Sequence, residues 1–158
     1  LKYLGSIVLG LNDALVELTG VLAGLTLAFQ NPRIIAVAGL ITGIAASLSM
    51  GGSEYLSTKT EKTKRRPVKA AIFTAIAYFF TVLFLIFPYF VLSNVMYSLA
   101  WTLVNAIIVI LVFSYYNAVA NDRSFKRHFF EMFVISMGVA ALSFAIGFLL
   151  RSYIGIEV

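Results

Sequence analysis

Five long apolar runs constrain this chain more than any other feature. They cover residues 3–29, 34–57, 68–92, 96–118 and 129–154. Each exceeds the length of about 18 residues that separates a spanning helix from a buried core helix. Only a helix satisfies its own backbone in lipid. The runs do not alternate in polarity as the strands of a barrel would over about ten residues. The sequence therefore predicts an all-α integral membrane protein, with 1–158 as one domain of five transmembrane helices. Composition agrees: 61% of residues are hydrophobic and 12% charged, against about 45–50% and about 25% in soluble domains. The first run is too long for a cleaved signal peptide and leads directly into the second.

Several chemistries are excluded early. There is no cysteine and one histidine, so thiolate sites, cysteine nucleophiles and a multi-histidine metal site within one protomer are ruled out. No GxxxxGK[ST], GxSxG or HExxH pattern occurs. The only acid–base pairing on one helix, Asp13 with Glu17, lacks the second segment that a shared-proton dyad needs. An enzyme is not expected.

The net charge is +5, and its distribution reads as orientation rather than nucleic-acid binding. Nine of the twelve basic residues form two clusters: Lys59, Lys62, Lys64, Arg65, Arg66 and Lys69 after helix 2, and Arg123, Lys126 and Arg127 after helix 4. With five spans these loops share a side with Lys2, and only Arg33 and Arg151 fall opposite. Positive residues stay inside, so the amino terminus is expected in the cytoplasm and the carboxyl terminus outside. Anionic lipid head groups are a second use for the same clusters. Tyr89, Phe90, Tyr97 and Trp101 are expected as an interfacial aromatic belt at the outer end of helices 3 and 4.

Scarce charge makes each acid informative. Glu61, Asp122, Glu131 and Glu157 lie in loops or at helix ends. Asp13, Glu17 and Glu54 lie within apolar runs, where a charge costs at least about 2.5–3.5 kcal/mol at mid-membrane. At about 1.5 Å per residue, Asp13 falls roughly 15 Å into helix 1. Glu54 and Met50 fall roughly 6 and 12 Å from the end of helix 2. Asp13 and Met50 are thus expected at similar heights. Asp13 and Glu17 share a helix face, as do Met50 and Glu54. Carboxylate with thioether suits a divalent transition metal in transit and disfavours Mg²⁺ and Ca²⁺. Glu54 has a plainer reading as a near-interface residue pairing with Lys59 or reaching head groups. Gly20/Gly24 and Gly39/Gly43 form GxxxG pairs, and Gly51-Gly52 adjoins Met50. These are expected in close helix packing and in loosening helix 2. Asn105 and Asn117 are expected to hydrogen-bond between helices.

The segments Leu11-Asn12-Asp13-Ala14-Leu15-Val16-Glu17-Leu18-Thr19-Gly20 and Ser49-Met50-Gly51-Gly52-Ser53-Glu54-Tyr55-Leu56-Ser57 resemble the motifs of the vacuolar iron transporter family. That family includes the yeast-type calcium-cross-complementing members. Its pattern is an aspartate in the middle of helix 1 and an S-M-G/A-x-x-E/G-Y-L stretch closing helix 2. The resemblance covers essentially the whole chain and is most specific in these two motifs. It implies a homodimer with its path between subunits, and proton-coupled export of Fe²⁺ or Mn²⁺ from the cytoplasm. Asp13 and Met50 match the family's path residues, and Glu17 and Glu54 match the variant found in prokaryotic relatives, implying a prokaryotic cell membrane. No tightly bound cofactor is implied.

Two departures stand out. Plant and parasite members carry a glutamate-rich cytoplasmic insert after helix 2, where this chain has the short basic stretch Thr58 to Pro67, with Glu61 its only acid. The plant type also has a glutamate where this chain has Thr42. Metal collection is then expected elsewhere. Some relatives fuse an amino-terminal ferritin-like domain, and a start at Leu1 is compatible with one. The leading expectation is an Fe²⁺/H⁺ antiporter. The alternatives are a divalent-cation channel and a non-transporting membrane anchor, in which Asp13 and Glu17 would pair with basic groups.

Overall fold

A computed structural model describes residues 3–61, 65–121 and 124–154. Lys2, Lys62, Lys64, Asp122, Arg123 and Glu157 lie outside the described residues. Five helices follow one another: α1 (Leu4–Ala28), α2 (Pro32–Thr60), α3 (Pro67–Val91), α4 (Val95–Asn121) and α5 (Phe125–Ile154). Each is long and apolar enough to cross a membrane. Even the shortest, at 25 residues, spans roughly 37 Å at the helical rise, more than the hydrocarbon thickness of about 30 Å.

Local chemistry sets the boundaries. At α2 the Asn31 side chain accepts from Arg33 N at 3.0 Å, and Pro32 occupies the first turn. A proline there gives up no hydrogen bond and has the right φ. Pro67 plays the same part in α3. Asn94 Oδ1 accepts from Met96 N at 2.9 Å and Tyr97 N at 3.2 Å, capping α4. The helix α5 begins at Phe125, four residues before its apolar run. Its first turns carry Lys126, Arg127 and His128, and an Arg127–Glu131 pair at 2.9 Å supports them. Hydropathy marks where lipid begins, while the helix continues into water.

The most buried span is α1, and α5 is the least buried. Of the five, α1 packs against all four others, with α2 and α3 packed together beside it and α4 and α5 on the remaining flank. Leu15, Leu18, Leu22, Tyr78, Val82, Leu85 and Ile86 form the heart of the apolar core.

Small residues permit the closest approaches. Gly10 lies against the Thr74 carbonyl of α3, and Gly147 of α5 against the Gly24 carbonyl. A Cβ on Gly20 would sit 2.7 Å from Val139 Cγ1, again in α5. Gly43 meets Val82 and Gly51 meets Ala71 and Ala75, all in α3. Gly39 meets both Leu22 of α1 and Ile86 of α3. The two GxxxG motifs therefore do not dock on one another: that of α1 serves α5, and that of α2 chiefly serves α3. Gly52 has nothing within 4 Å of a would-be Cβ, so it packs nothing within the protomer.

Pro88 sits inside α3 and deletes the amide that would bond to the Phe84 carbonyl. Asn105 of α4 replaces it, donating from Nδ2 to Phe84 O at 3.0 Å. Thr102 donates to Leu85 O at 2.8 Å. The interhelical role read for Asn105 is thus to repair a proline break, which lipid alone leaves unsatisfied. Asn117 is buried at the other end of the same helix. One belt residue is corrected. Tyr89 is 1% exposed, and its hydroxyl pairs with Thr26 Oγ1 at 2.5 Å. Phe90, Tyr97 and Trp101 are exposed, as a belt requires.

Candidate functional site

The intramembrane acids fall into two separate groups. The first is at the end of the bundle where α2 meets α3, the basic end. Glu54 is only 5% exposed. Ser6 Oγ donates to its Oε1 at 2.6 Å and Thr58 Oγ1 at 3.4 Å. Arg65 Nη1 reaches the same oxygen at 3.3 Å and also reaches Ser6 Oγ at 3.3 Å. Arg65 Nη2 bonds Glu61 Oε2 at 2.6 Å. The Glu61 bond is the largest of the influences holding the Arg65 guanidinium above its ordinary value, so it stays charged throughout the physiological range. Around this cluster Tyr3 stacks on Phe73 with centroids 5.3 Å apart, and its hydroxyl accepts from Arg66 N at 3.2 Å. These contacts tie the start of α1 to α3 and its approach.

The sequence offered Lys59 as the partner of Glu54. The structure corrects this. Lys59 Nζ lies 5.8 Å over the Tyr55 ring instead, and Arg65 takes the carboxylate. Lys59 is five residues along α2 from Glu54, about 140° around the helix and so on another face, while Arg65, just before α3, comes back over Glu54.

The second group is about 10 Å deeper, seven residues along α1 from Ser6. Asp13 is half-buried and Glu17 is exposed. Tyr78 of α3 is fully buried, and its hydroxyl donates to Glu17 Oε2 at 2.8 Å. Among the described residues no basic side chain pairs with Asp13 or Glu17. Gly5, Leu9, Asp13 and Glu17 are spaced four apart and are all exposed or half-exposed. They make an open stripe along the most central helix of the bundle. On the other side of α1, Asn12 Oδ1 and Thr19 Oγ1 are buried with no hydrogen-bond partner among the described residues.

Register relates the two motifs. Ser6 contacts Glu54, and Leu22 contacts Gly39. The antiparallel pairing therefore puts Met50 level with about Gly10, one turn (~4.5 Å) from the height of Asp13. Met50 is half-buried against the core. No hydrogen bond or ion pair joins Glu54 to Asp13 or Glu17. Among the described residues no three Asp, Glu or His side chains cluster as a metal site within the protomer.

The comparisons with known proteins complete these observations. A family model described as the VIT family matches residues 4–65 and 61–148. This chain belongs to the VIT family. The two matched segments meet in the α2–α3 connection, where the sequence lacks a long insert. No curated protein matches the chain. Family and helices together make it a multi-pass integral membrane protein of a metal-ion transporter family. Within this VIT-family chain the sequence named Asp13, Glu17, Met50 and Glu54 as candidates, and it missed their neighbours Ser6, Thr58, Arg65 and Tyr78. Thr58, one turn beyond Glu54, was findable from spacing. Tyr78 carried no signal, because an aromatic in an apolar run usually reads as core.

Proposed function

We propose that the protein is a homodimeric Fe²⁺/H⁺ antiporter that also accepts Mn²⁺ and exports metal from the cytoplasm of a prokaryotic cell. The observation that carries this reading is the open stripe of α1. A carboxylate facing lipid costs at least about 2.5–3.5 kcal/mol, yet the buried Tyr78 holds Glu17 at the protomer surface. A second copy placed about a two-fold axis covers the stripe with its own stripe. It brings four carboxylates from two protomers to one path, the ligand count that a single chain lacks. With the basic end in the cytoplasm, metal enters at Glu54, passes Met50 and Asp13, and leaves past Glu17. Carboxylates bind metal when deprotonated and release it when protonated. Proton flow against the metal thus follows from the ligand type, and no resident cofactor is needed.

The test is flux into proteoliposomes with an acidic lumen and Fe²⁺ added outside. Wild-type protein should accumulate metal in proportion to the pH gradient, and Asp13→Ala should fall to the rate of empty vesicles. Unchanged flux in that variant would sink the path. Flux indifferent to the gradient would make the protein a channel.

A further inference from the structure

Arg65 occupies the position that a cation arriving at Glu54 must take. Ser6, Thr58 and Arg65 all converge on Glu54 Oε1, and Oε2 has no hydrogen-bond partner among the described residues. The two carboxylate contacts of Arg65 are unequal. Nη2 is 2.6 Å from Glu61, while Nη1 is 3.3 Å from Glu54. The Glu54 contact is made by one nitrogen to one oxygen, without the two-pronged geometry that makes arginine–carboxylate pairs strong. The side chains of Glu54 and Arg65 are 7% and 22% exposed, so the guanidinium lies on the solvent side of the carboxylate.

We propose that Arg65 is a tethered competitor for the Glu54 carboxylate. It is anchored on Glu61 and displaced from Glu54 by an incoming divalent cation. Displacement costs the two 3.3 Å contacts of Nη1, to Glu54 and to Ser6, and leaves the 2.6 Å bond to Glu61 intact. A divalent ion carries twice the charge of the guanidinium and bonds directly to carboxylate oxygen, with Oε2 already free to receive it. A monovalent ion can reach the same oxygen but carries only the charge of the guanidinium it must displace. Arg65 therefore sets the metal concentration at which loading begins and screens out Na⁺ and K⁺. This inference rests on Glu54 being the cytoplasmic ligand of the path.

The experiment measures initial Mn²⁺ flux against Mn²⁺ concentration in proteoliposomes for wild type, Arg65→Gln, Glu61→Gln, the double variant and Glu54→Gln. Arg65→Gln should lower half-saturating Mn²⁺ by about three- to tenfold, the worth of a partly buried ion pair, with little change in maximal rate. Glu61→Gln should shift it the opposite way, because an untethered guanidinium settles wholly on Glu54. A merely structural arginine would not give opposite signs. The Glu61→Gln effect should vanish in the double variant. Glu61 is exposed, so that substitution serves even if Arg65→Gln does not fold. Half-saturation unchanged or raised in Arg65→Gln, or unchanged or lowered in Glu61→Gln, overturns the proposal. So does a Glu61→Gln effect that persists without Arg65. If Glu54→Gln alone leaves half-saturation unchanged, the role of Glu54 itself is what fails.

Discussion

Glu54 and Glu17 are both glutamates within spans, yet they are held in opposite ways. Glu54 is buried, with three donors on one oxygen: the Ser6 and Thr58 hydroxyls and the Arg65 guanidinium. Glu17 has one described donor, Tyr78, and faces out of the protomer. The first is a site the single chain completes by itself. The second is left open on the surface of the chain. The difference teaches that burial of a membrane carboxylate and its readiness for a ligand are separate properties. Glu54 is buried and ion-paired, whereas the Asp13–Glu17 stripe is open and holds no ion pair among the described residues.

The sharpest way to break this comparison uses glycines on the closed and open sides of α1. Gly10→Ala drives a methyl into the Thr74 carbonyl, which cannot give way, and should destabilise by about 3 kcal/mol, at the top of the overpacking range. Gly5→Ala meets open space and should leave stability unchanged or raise it by up to about 1 kcal/mol through helix propensity. Thermal unfolding in detergent separates them. Equal losses would mean that the open stripe is not open.

A smaller effect is expected at Tyr78→Phe, which keeps the core volume and removes only the donor to Glu17. A hydrogen bond to a charged group contributes about 1.5–3 kcal/mol when buried and less at an exposed acceptor, so maximal flux should drop about tenfold while the unfolding temperature falls by only a few degrees. A loss of stability without loss of flux would reduce Tyr78 to packing. The smallest effect belongs to the well-partnered site. Thr58→Val removes a 3.4 Å bond from a carboxylate that keeps Ser6 and Arg65. Half-saturating metal should change by less than about threefold, within the worth of one ordinary hydrogen bond. A tenfold change would show that Glu54 is less securely held than its contacts imply.

Much of the fold was legible in the chain because hydropathy and length are local properties. All five helices appear where the apolar runs lie, and the starts of α2, α3 and α4 follow Asn31-Pro32, Pro67 and Asn94, signals of one or two residues. What escaped was contact. Tyr89 at the end of a span reads as a belt residue, but the α1–α3 packing turns it onto Thr26. The GxxxG motifs announce close approach without saying which helix approaches. Lys59 is near Glu54 in sequence but, five residues on, turns to another face of α2, and Arg65, eleven residues on and past the turn, is the side chain that arrives.

By itself, the sequence determined five helices long and apolar enough to cross a membrane, and which few acids lie within them. It also carried two motifs that place the chain in its family. Only the tertiary structure decided which acid is paired and which stands open, and that Arg65 and Tyr78 are the side chains that hold them. Insertion cost depends on the residue and its depth, which can be counted along the chain. A partner depends on how separate helices pack, and that is settled by the whole bundle at once.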